Sequence, residues 1–478
     1  MAADAKAMDT EAAPRGFFAR LRGADAPAAA APIEMEEGDV FSRDKEKFIP
    51  LTRHALIDRL TAPNLWHGND AAHCRRFFNY LQFWRSNSYT VRLADLEQTY
   101  EPFSPDSDLL ITRAFTPEER STMQHRLVAD TRTILEQANY TAIDPTDIAL
   151  IMTKESHYGL DLELDMKAFE EILIYYRGSS TRTESRRSKK KFYLKQEEFE
   201  LPIFRRLFLL FKLKPIDVRA KEVMVEEHVS REEADKLVRK RRGMLPPQIS
   251  DNYVYMKLFK NIPRADIEMI FPNTRIRFRM KDKLKFGVTA GGGVGMGVIG
   301  TATKIAAATT PIGMAGAVMA LGGIAARQAT SFLNQRNKYM VTMAQNLYFH
   351  ALADNRGVLT LLADRAAEED VKEEFLLYCM LAKTRCNVRD LEQIDHAIER
   401  WLKTSFEADA NYDVDDALKR LIADGIVTQL PDGTLETLSP AAACERIDHI
   451  WDNFLNHLPG LHHEGHEADP DDEQLAKA

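Results

Sequence analysis

Recognisable catalytic motifs are missing from this sequence of 478 residues. It has no His-Glu-x-x-His zinc motif, no Gly-x-x-x-x-Gly-Lys-Ser/Thr phosphate loop and no Gly-x-Ser-x-Gly nucleophile elbow. Cysteine is scarce and never has the Cys-x-x-Cys spacing, so we expect reduced thiols in a core. The cysteines are Cys74, Cys379, Cys386 and Cys444. We therefore predict no catalytic residue, no cofactor and no metal site, which favours a non-catalytic protein.

An excess of basic charge is also lacking, because 64 basic residues face 72 acidic ones and the formal charge is −8. The surplus acid lies at the two ends of the chain. Residues 1–45 carry nine acids and six bases, and residues 459–478 carry six acids and one base. Both ends have too little apolar content to fold, so we predict two disordered acidic tails. A histidine cluster from His457 to His466 is explained better by a solvated tail than by metal binding.

Long apolar runs are absent with one exception, residues 286–326. This run holds a single charge, Lys304, and eleven of the 23 glycines. As one helix it would extend about 60 Å, twice the ~30 Å hydrocarbon core of a bilayer, so it fits a hairpin of two spans. Small residues four apart predict where the spans pack together. These hairpin residues are Gly291, Gly293, Gly295, Gly297, Gly316 and Ala320. A buried soluble hairpin is the alternative.

Basic residues flank the apolar run on both sides. Every second residue from Arg275 to Lys285 is basic, which predicts a strand with one basic face. Bases on both sides predict an even number of crossings, with both ends cytoplasmic. We expect anionic lipid headgroups to be contacted by Arg275, Arg277, Arg279, Lys281, Lys283, Lys285 and Arg327. A solvated strand face is the alternative.

The apolar run also contains a match to the dinucleotide-binding fingerprint, Gly295-x-Gly297-x-x-Gly300. That fingerprint needs an acid some ~20 residues further on to hold the ribose. The next acid is Asp354. We attribute the match to the density of glycine and predict no nucleotide cofactor.

The rest of the chain predicts an α+β fold. Residues 46–155 are predicted to be helical, with one long helix opened by a capping box at Thr116–Glu119. The apolar stretch Leu201–Lys214 predicts a packed core helix, with an interfacial helix as the alternative. Alternating patterns predict an antiparallel sheet with strands near Tyr158–Asp165, Glu171–Arg177, Tyr253–Phe259 and Arg275–Lys285.

After the apolar run, residues 331–460 are predicted to be helical except at Ile426–Leu438. That segment is a strand, an Asp-Gly turn and a second strand. Helices followed by a small β-hairpin indicate a winged-helix module. Its supposed recognition helix starts at Asp413 and has four acids against Lys419 and Arg420. Because acids repel phosphate, we predict a protein partner and argue against nucleic acid.

These patterns divide the chain into seven parts. They are an acidic tail (1–45), a helical domain (46–157), an α+β domain ending in the basic strand (158–285), a transmembrane hairpin (286–326), a helical region (327–388), a winged-helix-like module (389–458) and a second acidic tail (459–478).

The segment Phe259–Phe278, FKNIPRADIEMIFPNTRIRF, resembles the uncharacterised transmembrane protein 143 family, as does ILIYYRG at 172–178. Lys47–Leu51 and Asn355–Leu359 fit that family as well. The resemblance implies a membrane protein with two closely spaced spans, found in bacteria, plants and animal mitochondria. It implies no known activity. The motif residues are Pro263, Arg264, Asp266, Glu268 and Pro272.

We therefore expect a two-span protein of a bacterial cytoplasmic membrane, because the acidic N-terminus departs from the mitochondrial members. Both termini would be cytoplasmic. The favoured function is a non-catalytic adaptor or regulator with an unidentified protein partner. A membrane-bound enzyme with an unrecognised site is one alternative. A channel or transporter component built from a homo-oligomer of hairpins is the other.

Overall fold

The computed structural model describes residues 45–106, 113–144, 147–148, 161–187, 196–243, 245–272, 274–277, 347 and 349–454. These residues form the predicted α+β fold. The helices are α1 (Arg53–Leu60), α2 (Asp70–Tyr100), α3 (Pro117–Gln137), α4 (Ile216–Glu227), α5 (Arg231–Arg242), α6 (Asn355–Leu381), α7 (Leu391–Phe406), α8 (Val414–Ala423) and α9 (Pro440–Asp452). The strands are β1 (Thr141–Ala142), β2 (Asp161–Leu164), β3 (Phe169–Arg187), β4 (Gln196–Leu213), β5 (Tyr255–Pro263), β6 (Thr274–Arg277), β7 (Ala351–Asp354), β8 (Cys386–Asn387), β9 (Val427–Gln429) and β10 (Thr434–Thr437).

The predicted membrane hairpin, residues 286–326, lies outside the described residues. So do residues 1–44 and 455–478, which include all of the predicted disordered tails (1–45 and 459–478) except Lys45. Within the described ranges, no helix combines the length and the apolar character needed to cross a membrane.

The central sheet is antiparallel and has the strand order β1-β3-β4-β5-β7. Strands β3 and β4 pair from Phe169 opposite Leu213 to Arg187 opposite Gln196. Strand β5 covers only part of β4, from Phe211 to Ile203. The ends of β3 and β4 nearest their connection therefore extend past β5 as a two-stranded ribbon.

Strand β4 shows that the predicted helix at Leu201–Lys214 is wrong. The stretch pairs with β3 on one side and with β5 on the other. Phe204, Leu207, Phe208, Leu209 and Leu210 are all fully buried. A central strand covered on both faces has a continuous apolar sequence rather than an alternating one. Length and periodicity alone do not separate such a strand from a buried helix.

The two faces of the central sheet have different covers. On one face, which we call the helical face, Phe208 and Leu210 pack against helices α2, α3 and α6. On the opposite face, Phe204 and Leu209 pack with Ile270 and Phe271, which follow β5, and with Leu347, which precedes β7. The chain shortly before residues 278–346 and the residue directly after them therefore pack on the same face of the sheet.

Local sequence signals explain where several helices begin. The capping box predicted at Thr116 is confirmed: the Thr116 hydroxyl accepts from Glu119 N, and the Glu119 carboxylate accepts from Thr116 N. Helix α5 begins with a second box, at Ser230 and Glu233. It ends with Arg239–Arg242, where cations complement the helix dipole.

The C-terminal helices pack around a small sheet with strand order β8-β10-β9. The predicted Asp-Gly turn joins β9 to β10. Within the region predicted to be helical, Asn355–Leu381 form one continuous helix, α6. The helical prediction is wrong at Ala351–Asp354, because Ala351 begins β7 and pairs with Phe259. Edge pairing on an existing sheet has overridden a local helical pattern.

Helix α6 joins the two halves of the protein. Its first half, from Val358 to Ala367, lies in the core beneath the central sheet. Its second half, from Val371 to Leu381, lies in a core shared with α1, the start of α2 and the C-terminal helices. Because α6 is buried along both halves, it has no solvent-facing stripe in its middle turns.

Candidate functional site

The middle of α6 carries a cluster of buried charged residues. Five consecutive or neighbouring positions are nearly inaccessible to solvent: Glu369, Asp370, Lys372, Glu373 and Glu374. Charged side chains are seldom this buried unless they are paired. We call this set, with the cations and the carboxylate that contact it, the α6 charge network.

Arg420 on α8 is the cation that makes the most contacts in the network. Its Nε donates to Glu374 Oε1 at 2.7 Å, its Nη2 donates to Glu373 Oε2 at 2.7 Å, and its Nη1 lies 3.2 Å from Asp370 Oδ1. These three contacts hold α8 against α6. Burial disfavours the charged guanidinium, but the three carboxylates outweigh it and raise the pKa of Arg420.

Arg85 on α2 extends the network in a second direction. Its Nε donates to both carboxylate oxygens of Glu374, at 2.9 and 3.2 Å. Its Nη2 donates to Asp424, which caps the C-terminus of α8 and also accepts from Trp84 Nε1 at 3.2 Å. The network therefore ties α2, α6 and α8 together with charge-assisted hydrogen bonds, which are stronger than neutral ones.

Glu369 and Lys372 connect the network to the central sheet and to the start of the described chain. Glu369 Oε1 accepts from Arg177 Nη2 on β3 at 2.5 Å and from Lys372 Nζ at 2.6 Å. Its other oxygen accepts from Ile49 N at 3.1 Å. Lys372 Nζ donates in turn to the carbonyls of Ile49 and Leu51, at 2.8 and 3.3 Å. The segment Lys47–Leu51, noted for its resemblance above, is thus held by a buried ion pair.

The network has one more carboxylate than it has cations. The carboxylates are Glu369, Asp370, Glu373, Glu374 and Asp424, and the cations are Arg85, Arg177, Lys372 and Arg420. Burial raises the pKa of Glu373 to about 8 and that of Asp370 to about 6. Glu373 therefore holds a proton at neutral pH, which brings the network to electrical balance.

The carboxylates of this network are engaged in contacts that hold α2, α6 and α8 together. Its carboxylates are buried and each already contacts a cation or a hydrogen-bond donor, as Glu373 does with Asn139 Nδ2 at 3.1 Å. Among the described residues, no group of three or more His, Cys, Asp or Glu side chains has the geometry to hold a metal ion.

The predicted family-motif residues lie at the end of β5 and in the turn after it. Arg264, which is almost fully buried, stacks over the Phe204 ring and donates from Nη2 to Ser179 Oγ at 2.6 Å. Pro263 ends β5, and a kink at Asp266 turns the chain back over the opposite face of the sheet. Glu268 is in the same turn, and Pro272 follows it. The described contacts give Arg264 a packing role.

The glycine of the ILIYYRG segment at 172–178 is Gly178, and its position requires a residue without a side chain. Its φ is +76°, which L-residues with a Cβ rarely adopt. A Cβ here would also lie 3.0 Å from Arg205 Cδ and 3.1 Å from Phe48 Cε1. Beside it, Arg177 stacks over the Phe48 ring at 4.2 Å. The glycine therefore lets Lys47–Leu51 approach β3 closely.

Two of the predicted membrane-contact residues, Arg275 and Arg277, lie in strand β6. The pairing with β2 puts Arg275 opposite Glu163 and Arg277 opposite Asp161. The other predicted contacts lie outside the described residues, as do the hairpin residues: Arg279, Lys281, Lys283, Lys285, Arg327, Gly291, Gly293, Gly295, Gly297, Gly316 and Ala320.

The four cysteines are free and buried, as expected for core thiols. Cys74 on α2 interacts with Cys379 on α6, and burial together with this contact raises the pKa of the Cys74 thiol beyond the physiological range. A protonated, buried thiol is a poor nucleophile. The histidine cluster from His457 to His466 lies outside the described residues.

Sequence reasoning did not find the α6 charge network. The sequence pattern predicts ordinary helices here, since charged residues within a helical pattern usually form the solvated face. One signal is available: the run Glu368–Glu374 is followed by Phe375–Leu381, which are apolar on every side of the helix and leave no polar face.

Comparison with known proteins finds a domain of unknown function and no activity. A family model described as a protein of unknown function (DUF3754) matches residues 169–357. No solved structure matches the chain. A DUF3754 domain thus begins at the first residue of β3 and ends in the first turn of α6, so it contains β3, β4, β5, β6, β7 and the apolar run between the last two.

Proposed function

We propose that this protein is a membrane-anchored, non-catalytic adaptor or regulator. Residues 286–326 would form its two-span hairpin, and its folded parts would lie on the cytoplasmic side of a bacterial membrane. The likeness to the transmembrane protein 143 family belongs to this proposal as well. The DUF3754 match supports an uncharacterised family and assigns no activity.

The observation that carries the proposal is the position of the two ends of segment 278–346. Ile270 and Phe271 before it and Leu347 after it pack into the same apolar cluster, on the sheet face opposite α6. A segment that leaves and returns on one side of a membrane crosses it an even number of times. Two spans of about twenty residues fit the apolar run.

Basic residues support an orientation with that sheet face towards the membrane. We propose that Arg279, Lys281, Lys283, Lys285 and Arg327 contact anionic headgroups, at about 1 kcal/mol for each residue near the surface. Arg275 and Arg277 contribute less to this contact than the sequence alone suggests, because acids of β2 are their cross-strand neighbours.

The C-terminal elements support a role in contacting a protein. They follow the order of a winged-helix module: the end of α6, β8, α7, α8 and the β9–β10 hairpin, with β10 between β8 and β9. Helix α8 would be the recognition helix, yet Arg420 on its inner face is held in the α6 charge network. Its outer face exposes Asp413, Asp415 and Asp416 against Lys419. This acidic face favours a protein partner over nucleic acid.

The test is membrane fractionation of the full chain and of a variant in which residues 286–326 are replaced by a Gly-Ser linker of equal length. We expect the full chain to resist extraction by high salt and alkaline carbonate, and the variant to be released. Circular dichroism and thermal unfolding serve as the control that the variant is folded. A folded variant that still resists extraction would rule out the hairpin as the anchor.

Neither alternative function gains a specific observation within the described residues. An enzyme with an unrecognised site and an oligomeric channel or transporter component therefore stay secondary hypotheses. A strictly monomeric detergent-solubilised protein would exclude the channel.

A further inference from the structure

Helices α2 and α9 lie side by side and run in the same direction. Cys444 Sγ near the start of α9 contacts His73 O on α2 at 3.4 Å. Ten residues later, the ring of Phe454 meets the ring of Trp84 edge-on, with centroids 5.4 Å apart. These two contacts fix the relative direction of the helices.

Several aromatic side chains near this helix pair are exposed to solvent. On α2, Phe83 is 65% exposed and Tyr80, one turn before it, is 36% exposed. After α9, the ring of Phe454 stacks with that of Trp451, which is 49% exposed. We call Tyr80, Phe83, Trp84, Trp451 and Phe454 the aromatic strip.

Exposed aromatic residues in a row are unusual on a protein surface and mark interaction sites. Tyrosine and tryptophan are also the residues that contribute most to binding at protein interfaces. The strip lies on α2 and α9, whose cores are on the helical side of the protein rather than on the sheet face that we assign to the membrane. A protein partner therefore fits it better than a bilayer.

Charges around the strip indicate the chemistry of that partner. Glu445, Asp448 and Asp452 are exposed on α9, three or four residues apart, beside Trp451. Helix α2 exposes Arg75 and Arg76 in the same region, but Arg75 is paired with Asp58.

We propose that the aromatic strip is a docking surface for a basic amphipathic helix of a partner protein. The apolar side of that helix would contact Phe83 and Trp451, as amphipathic helices contact exposed apolar surfaces of their partners. Its basic side would face Glu445, Asp448 and Asp452. This inference rests on the proposed adaptor role, although its test does not depend on the membrane anchor.

The test measures binding of three 18-residue peptides to the purified full chain in detergent, by fluorescence anisotropy. One peptide is an amphipathic Leu/Lys helix, the second has the same composition in a non-amphipathic order, and the third is an amphipathic Leu/Glu helix. We expect the first to bind at least tenfold more tightly than the other two, with affinity that falls as salt rises.

Matched variants locate the binding. F83S combined with W451S is expected to weaken binding of the Leu/Lys peptide at least tenfold. V225S is the control, because Val225 is 67% exposed on α4, a helix whose buried residues belong to a separate small cluster. It should bind as the unchanged protein does. Should the double variant fail to fold, F83S alone gives the same comparison, since its side chain is mostly in solvent.

Three outcomes would overturn the proposal. Equal binding to the double variant and to the unchanged protein would place the site elsewhere. A dimer in sedimentation that the double variant abolishes would make a second copy the occupant. Tighter peptide binding after removal of residues 455–478 would make the chain's own tail the occupant. None of these outcomes depends on the fractionation result. Failure of the docking proposal for the aromatic strip and failure of the proposed membrane anchor are therefore distinguishable.

Discussion

Arg420→Met offers the most direct test of the α6 charge network. Arg420 contacts three buried carboxylates, on Glu374, Glu373 and Asp370, and methionine has a similar length but no charge. The substitution leaves five buried carboxylates facing three cations instead of four. Removing one partner of a buried ion pair costs about 3–5 kcal/mol, because the remaining charge stays buried without compensation. Against a total stability of roughly 5–15 kcal/mol, this is a large loss.

The assay is urea unfolding followed by tryptophan fluorescence, since Trp84 donates to Asp424 within the network. Lys419→Met is the matched control on the same helix. Lys419 is 75% exposed and pairs only with Asp416, so its loss should cost at most about 1 kcal/mol. Adding D370N to R420M should recover stability, because the loss of Arg420 leaves the Asp370 carboxylate without its cation, whereas Glu374 keeps Arg85. If R420M and K419M unfold at the same urea concentration, the reasoning about the network is wrong.

The remaining predictions concern protons, the N-terminal segment and the family motif. Between pH 5 and 7.5, the free energy of unfolding should fall as pH rises, because Glu373 keeps a proton in the folded state that the unfolded chain releases. E373Q should remove up to about 1.4 kcal/mol per pH unit of that slope, as measured by urea unfolding across this pH range. An unchanged slope would contradict the prediction. K372M should release the segment Lys47–Leu51 and speed tryptic cleavage at Lys47 several-fold, because Lys372 donates to the carbonyls of that segment. The control K383M should leave the cleavage rate unchanged. Equal cleavage of the two variants would show that Lys372 does not hold the segment. R264M should lower the free energy of unfolding by about 2 kcal/mol, because it removes the hydrogen bond to Ser179. The control R205M, at an exposed residue, should cost at most about 1 kcal/mol. Thermal unfolding measures both, and equal losses would contradict the prediction.

The α6 charge network joins the two halves of the chain. Helix α6 is continuous between the sheet core and the C-terminal core, and Arg85, Arg177 and Arg420 reach it from three different elements. The network thus connects the helical face of the sheet, through Arg177 on β3, to α8, through Arg420.

Features set by neighbours along the chain could be predicted from the sequence. The capping box at Thr116 and the Asp-Gly turn before Thr434 both form as expected. Each depends on contacts within about four residues, so the local sequence contains all the participants. The α+β class follows for the same reason, since periodicity is a local property.

The sequence could not predict the candidate site, because its participants are far apart along the chain. Glu374 and Arg85 are 289 residues apart, and Arg177 and Glu369 are 192 apart. Nothing in the pattern around either member indicates its partner. The acids of α6 have the composition of a solvated helix face, and only packing on every side makes them buried.

By itself, the sequence determined the apolar run, its basic flanks, the acidic ends and the start of α3, because composition and short-range contacts decide these. Only the tertiary structure decided that Leu201–Lys214 is a central strand, that Ala351–Asp354 joins the sheet edge and that charged residues of α6 form a buried junction. These features depend on pairing between distant segments. The free energy of such pairing exceeds the small local preferences that the sequence expresses.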